Sequence, residues 1–116
     1  MAIGLLVQCK ISNDDEYLGV VRKWEDHIRQ TPGAVRVDCY ADRESGTVYF
    51  DEEWADGDAL INHFAQMQKK GLSDEINSVQ NIEGIFLLTP TDHPGVNALL
   101  DQVGATRMER LATFRR

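Results

Sequence analysis

The chain has 116 residues, of which 42% are hydrophobic and 27% charged, a composition that excludes a disordered chain and predicts one domain over 1–116. The formal net charge is −7, and it is uneven: residues 1–106 carry 8 basic and 18 acidic side chains, whereas the last ten carry four arginines and one glutamate. An acidic body repels phosphate backbones, so no nucleic-acid partner is expected.

No stretch approaches the ~20 apolar residues of a membrane span, so no membrane association is expected. The opening MAIGLLVQCKI lacks the basic lead and cleavage site of a signal peptide, and a cytoplasmic location is expected. Residues 3–11 alternate, with Ile3, Leu5, Val7, Cys9 and Ile11 on one face of a strand. Asn13 is placed to cap a helix, with Glu16 reaching back in a capping box. That helix puts Tyr17, Val20, Val21, Trp24, His27 and Ile28 on one stripe and stops at Pro32-Gly33.

Two alternating runs follow, joined by Glu44-Ser45-Gly46 as a hairpin. In the first, Val35, Val37, Cys39 and Ala41 oppose Arg36, Asp38, Tyr40 and Asp42; in the second, Val48, Phe50, Glu52 and Trp54 oppose Tyr49, Asp51 and Glu53. Cys9 and Cys39 lack metal-ligand spacing and read as small buried hydrophobes with free thiols. Asp56 caps a second helix with Leu60, His63, Phe64 and Met67 inward, and a helical turn is expected around 73–78. Residues 82–89 form a fourth strand closed by Pro90. The order strand, helix, strand, strand, helix, strand is the α+β, ferredoxin-like split βαβ arrangement, βαββαβ, with one antiparallel sheet and both helices on one face. An extension over 91–116 adds a helix at 96–103 and a fifth strand at 106–114.

The outer sheet face mixes Leu6, Gln8, Arg36, Tyr40, Tyr49, Asp51 and Glu53, and tyrosine with arginine suits an interface. Glu52 and Trp54 share the apolar face, because residues two apart on a strand point the same way, and His63 lies on the helix that follows. A carboxylate lined up with apolar neighbours is a candidate general base; the structural alternative is a carboxylate paired with a cation or capping a helix. His63 is a candidate to orient or deprotonate a hydroxyl, or else a helix histidine bonded to the sheet or to Glu52. Trp54 can stack on an aromatic ring or simply fill the core. Trp24, His27 and Tyr17 are placed to close the same pocket, and as core side chains they need no ligand. His93, before Pro94, reads as a loop residue without chemistry. No third ligand joins Glu52 and His63, so no metal is expected, and without a glycine-rich phosphate loop no nucleotide cofactor is expected.

The element order, the Glu52-x-Trp54 ending of the third strand and the run Asp56-x-x-Ala59-Leu60-x-x-His63 resemble the antibiotic biosynthesis monooxygenase family over about residues 3–90. The resemblance implies a homodimeric α+β barrel with sheets facing and helices outside, and a pocket between each sheet and its helices. It implies cofactor-free oxygenation of a small electron-rich aromatic, a quinol or polyketide-type phenol, with dioxygen as co-substrate. Glu52 and His63 are then catalytic, and Trp54, Trp24, His27 and Tyr17 bind substrate. Haem-degrading relatives use an asparagine on the first strand, and residues 3–11 contain none. Many quinol-type members carry a second histidine soon after the first, and 65–71 contains none. A non-catalytic ligand-binding or structural dimer, or an isomerase or lyase using the same base, are the alternative readings of this scaffold.

Overall fold

The computed structural model describes residues 2–116. Its elements are β1 (Ile3–Ile11), α1 (Asp14–Arg29), β2 (Ala34–Asp42), β3 (Thr47–Trp54), α2 (Gly57–Lys69), α3 (Leu72–Asn77), β4 (Gln80–Leu87), α4 (Pro94–Val103) and β5 (Thr106–Arg107). The sheet order is β2-β3-β1-β4-β5, with all neighbours antiparallel except β4 and β5. The first four strands have the ferredoxin-like order, and the sheet remains open.

Alternation buries one face. Ile3, Leu5 and Cys9 of β1 and Val48, Phe50 and Trp54 of β3 join Tyr17, Trp24 and Ile28 of α1 and Leu60 and Met67 of α2 in one core cluster. Both helices start where capping side chains place them. The Asn13 side chain accepts from the Glu16 N–H, and the Asp56 side chain from the Ala59 N–H at 2.8 Å. The reciprocal half of the expected capping box is absent, because the Asn13 N–H is spent on the Val79 carbonyl.

Two bulges change which side chains share a face. Between Ala34 and Arg36 the pairing of β2 with β3 shifts, so Val35 is extruded and 57% exposed instead of facing the helices with Val37. Between β1 and β4 the shift at Gln8/Cys9 leaves Glu83 unpaired. That extra residue lets Gln80 and Ile82 share the helix side with Ile85 and Leu87. β4 therefore starts and stops two residues earlier than the hydrophobic run suggests, and a Leu88 N–H to Gly4 carbonyl bond and a Gly4 N–H to Thr89 Oγ1 bond continue past its end. Cys39 also departs from expectation. It lies on the helix-facing side of the edge strand and is exposed, whereas Cys9 is buried.

The extension packs on the domain through α4, whose Val96 and Leu100 are fully buried. His93 has a structural role here: Nδ1 accepts from the Val96 N–H at 3.1 Å, which leaves the proton on Nε2 to reach Asp58 at 2.7 Å. The expected fifth strand shrinks to two residues, because parallel pairing to β4 runs out when β4 ends at Leu87; the Met108 N–H takes the last carbonyl. Beyond it Leu111 and Phe114 are 88% and 78% exposed. Arg107 is held by Asp101 and Asn97, the one arginine of the last ten residues in an ion pair among the described residues.

Trp24 meets Phe50 edge-on, with ring centroids 5.0 Å apart, and is nearly fully buried. Trp24→Ala is expected to cost about 3–5 kcal/mol in chemical denaturation, through lost transfer energy and an unfilled cavity; a loss near zero contradicts that packing.

Candidate functional site

β3 lies between β1 and β2, and Glu52 is paired with Leu5 on one side and Val37 on the other. This central position removes its carboxylate from water. Two residues on, Trp54 is fully buried, and its indole Nε1–H donates to Glu52 Oε1 at 3.0 Å. α2 lays His63 on that indole, with stacked rings at 4.4 Å and 25°. His63 is also buried, and its Nδ1 has no hydrogen-bond partner.

Glu52 and His63 open onto a cavity of about 100 Å³. Its walls are mainly apolar: Val7, Trp24, Phe50, Phe64, Met67, Ile76, Ile82 and Ile85, with Gln80 a third buried polar group. Ser73, Asn77 and Ile82 form the solvent-facing rim. An apolar cavity near 150 Å³ takes benzene; this one is smaller, and Met67 is the most pliant residue of its wall.

Of the six residues singled out by the sequence, Glu52, His63 and Trp24 line the cavity. Trp54 lies behind it as the support of the other two. Tyr17 also stands behind the wall, donating its hydroxyl to Gln80 Oε1 at 2.6 Å. His27 stacks on the far side of His63 at 6.3 Å and opens onto a separate polar groove with Thr31, Asn62, Gln66 and Lys70. Neither structural alternative for the central pair is realised: among the described residues Glu52 has no cation partner, and no hydrogen bond joins His63 to Glu52 or to the sheet. Sequence reasoning missed Gln80, which precedes the hydrophobic run and faces inward only through the β4 bulge.

Burial pushes Glu52 up to about 7, against the opposing pull of the Trp54 hydrogen bond. Burial, with the His27 ring second, pushes His63 down to about 4. At neutral pH the site thus holds a carboxyl group near its midpoint beside an uncharged imidazole. Burial also lifts the Cys9 thiol to about 12, too high for a nucleophile at neutral pH. Among the described residues no three His, Cys, Asp or Glu side chains cluster as metal ligands, and no helix is long and apolar enough to cross a membrane.

No family model matches this chain, and no curated protein matches it in sequence. Solved structures do. MupZ from Pseudomonas fluorescens aligns over 99% of this chain and 89% of its own, with 14% identity and a TM-score of 0.83. An antibiotic biosynthesis monooxygenase aligns over 78% and 99%, with 27% identity and a TM-score of 0.65. SnoaB, a cofactor-independent oxygenase from Streptomyces nogalater, aligns over 79% and 97%, with 18% identity and a TM-score of 0.66. The fold is that of the antibiotic biosynthesis monooxygenases. The MupZ alignment extends through the C-terminal extension, so α4 is part of a shared architecture.

The opposed shifts make a stability test. Glu52 binds its proton more tightly when folded, between the model-compound value of 4.5 and about 7, so its contribution is full below 4.5 and is lost as pH rises through about 7. His63 binds its proton more weakly when folded, so its contribution is full above 6.5 and is lost as pH falls through about 4. The slopes cancel in the shared window. In urea melts, Glu52→Gln is expected to gain stability from about pH 4 to 6.5 relative to wild type, and His63→Leu to lose it from about 4.5 to 7. Three parallel pH profiles contradict both shifts.

Proposed function

We propose that this chain is a cofactor-independent monooxygenase acting on a small electron-rich aromatic of the quinol or polyketide-phenol type. The observation that carries this reading is Glu52, a buried carboxyl group without a cation, opening on an apolar cavity and titrating near neutrality. A general base is most effective when its pKa lies near the working pH. The fold shared with the cofactor-independent oxygenase SnoaB supports the same chemistry.

The substrate hydroxyl, or the ring CH₂ tautomerically joined to it, gives its proton to Glu52. Uncharged His63 orients the oxygen by a hydrogen bond from or to its ring. The resulting anion is electron-rich enough to reduce dioxygen by one electron, and recombination forms a carbon–oxygen bond to a peroxide. Glu52 returns the proton to the distal peroxide oxygen. Loss of water converts CH–OOH to C=O, so ring CH₂ and O₂ become C=O and H₂O. The apolar walls keep bulk water from the anion, and Trp54 holds the carboxylate in place.

The reading extends to assembly: two copies pair through the outer sheet face. Tyr40 and Tyr49 face each other directly across β2 and β3 and are 61% and 39% exposed, beside Arg36 bonded to both Asp38 and Asp51. Aromatic and arginine side chains of this kind favour an interface. A double Tyr40→Asp, Tyr49→Asp variant is expected to scatter light as a monomer where wild type scatters as a dimer; an unchanged mass refutes this face as the interface.

Catalysis is tested by dioxygen consumption with a panel of quinols and anthrone-type phenols in metal-free buffer. Glu52→Gln keeps shape and loses basicity, so turnover should fall by about 10²–10⁴ while ligand affinity changes less than about tenfold. Ligand bound and recovered unchanged, with no oxygen consumed, makes the chain a binding protein instead.

A further inference from the structure

The buried polar groups of the cavity lie at two ends. Glu52 is level with Leu5 of β1, whereas Gln80 is level with Ile11. Those levels are roughly 20 Å apart at about 3.3 Å per residue, before either side chain reaches inward. Between them the walls are apolar, with Val7, Phe50, Met67, Ile82 and Ile85. A ligand seated at Glu52 and extending along this slot reaches Gln80 only if it is longer than a single benzene ring.

Gln80 is prepared for such a contact. It is only 4% exposed and lines the cavity. The Tyr17 hydroxyl donates to its Oε1 at 2.6 Å, and its Nε2 donates to Asn77 Oδ1 at 3.3 Å. These bonds fix the orientation of the amide. A glutamine amide has two N–H donors and two acceptor lone pairs, so one of each remains unspent. A buried amide with unspent capacity beside an otherwise apolar wall discriminates between ligands, because an oxygen there is rewarded and an apolar end leaves the amide unsatisfied.

We propose that Gln80, held by Tyr17, is the second recognition point of the cavity and hydrogen-bonds an oxygen at the ligand end remote from the hydroxyl that meets Glu52. The inference rests on the reading of Glu52 as the hydroxyl-binding end. Tyr17 is a positioning residue, acting through the orientation of the amide.

The test is equilibrium binding of two biphenyls by fluorescence titration: para-phenylphenol, with a hydroxyl at one end, and the diol with a hydroxyl at both. Wild type is expected to prefer the diol about tenfold, the worth of one hydrogen bond at a buried group. Gln80→Leu should bring the ratio to about one while the affinity for para-phenylphenol stays within about threefold. Tyr17→Phe should give an intermediate ratio, because the amide is present but free to turn. A preference that survives in Gln80→Leu, or an unchanged ratio in Tyr17→Phe, overturns the proposal. Equal binding of both ligands by wild type also overturns it but leaves the Glu52 reading standing. Binding of neither overturns the two-ended slot, and the Glu52 reading then stands or falls on dioxygen consumption with the quinol and anthrone-type panel.

Discussion

The hydrogen bond from the Trp54 indole to the Glu52 carboxylate, made within one strand and roofed by His63, is the contact on which the site depends. A buried carboxylate without a cation is costly. Here one charge-assisted bond and protonation near neutral pH reduce that cost without neutralising the group outright. The fully buried indole also fixes the height at which α2 crosses the sheet, because His63 lies flat on it. Strand, helix and carboxylate are therefore positioned by one side chain.

The two titratable groups respond to the same low-dielectric surroundings in opposite directions. Burial disfavours charge, so the acid holds its proton to higher pH and the base releases its proton at lower pH. The result is a pocket able to approach neutrality with both partners present. Had His63 bonded to Glu52, the pair would have favoured an ion pair, and the carboxylate would have been a weaker base. Stacking on Trp54 instead directs the imidazole away from that bond.

Period-two alternation and capping residues made most of this fold legible. The run from Thr47 to Trp54 placed Glu52 and Trp54 on one face, and Asp56 placed the start of α2 about one turn before Leu60 and two before His63. The bulges were not legible, since an extra residue leaves no mark on hydrophobic pattern: Val35 reads as a core residue, and Gln80 reads as the end of a loop. Cys39 was misjudged because alternation reports a face, whereas an edge strand has a neighbouring strand on one side only and leaves its residues more open to solvent. The fifth strand was overextended for a related reason. Thr106 to Phe114 has strand-like composition, but strand formation needs a partner edge, and β4 offers one only as far as Leu87.

The β4 bulge joins fold to function more directly than any other irregularity. Were Glu83 paired in the ladder, strict alternation would place Ile82 and Ile85 on opposite faces, and Gln80 would turn outward with Ile82 if Ile85 kept its place. Leaving Glu83 out of the pairing keeps both on the helix side. It thereby lengthens the apolar slot by two positions beyond the end that uninterrupted pairing would give. Gly84, just after the bulge, leaves room for the Phe86 ring, which a Cβ there would meet at 2.8 Å. Two adjacent residues thus shape the two faces of the sheet: the bulge at Glu83 extends the pocket on one face, and Gly84 makes room for an aromatic ring.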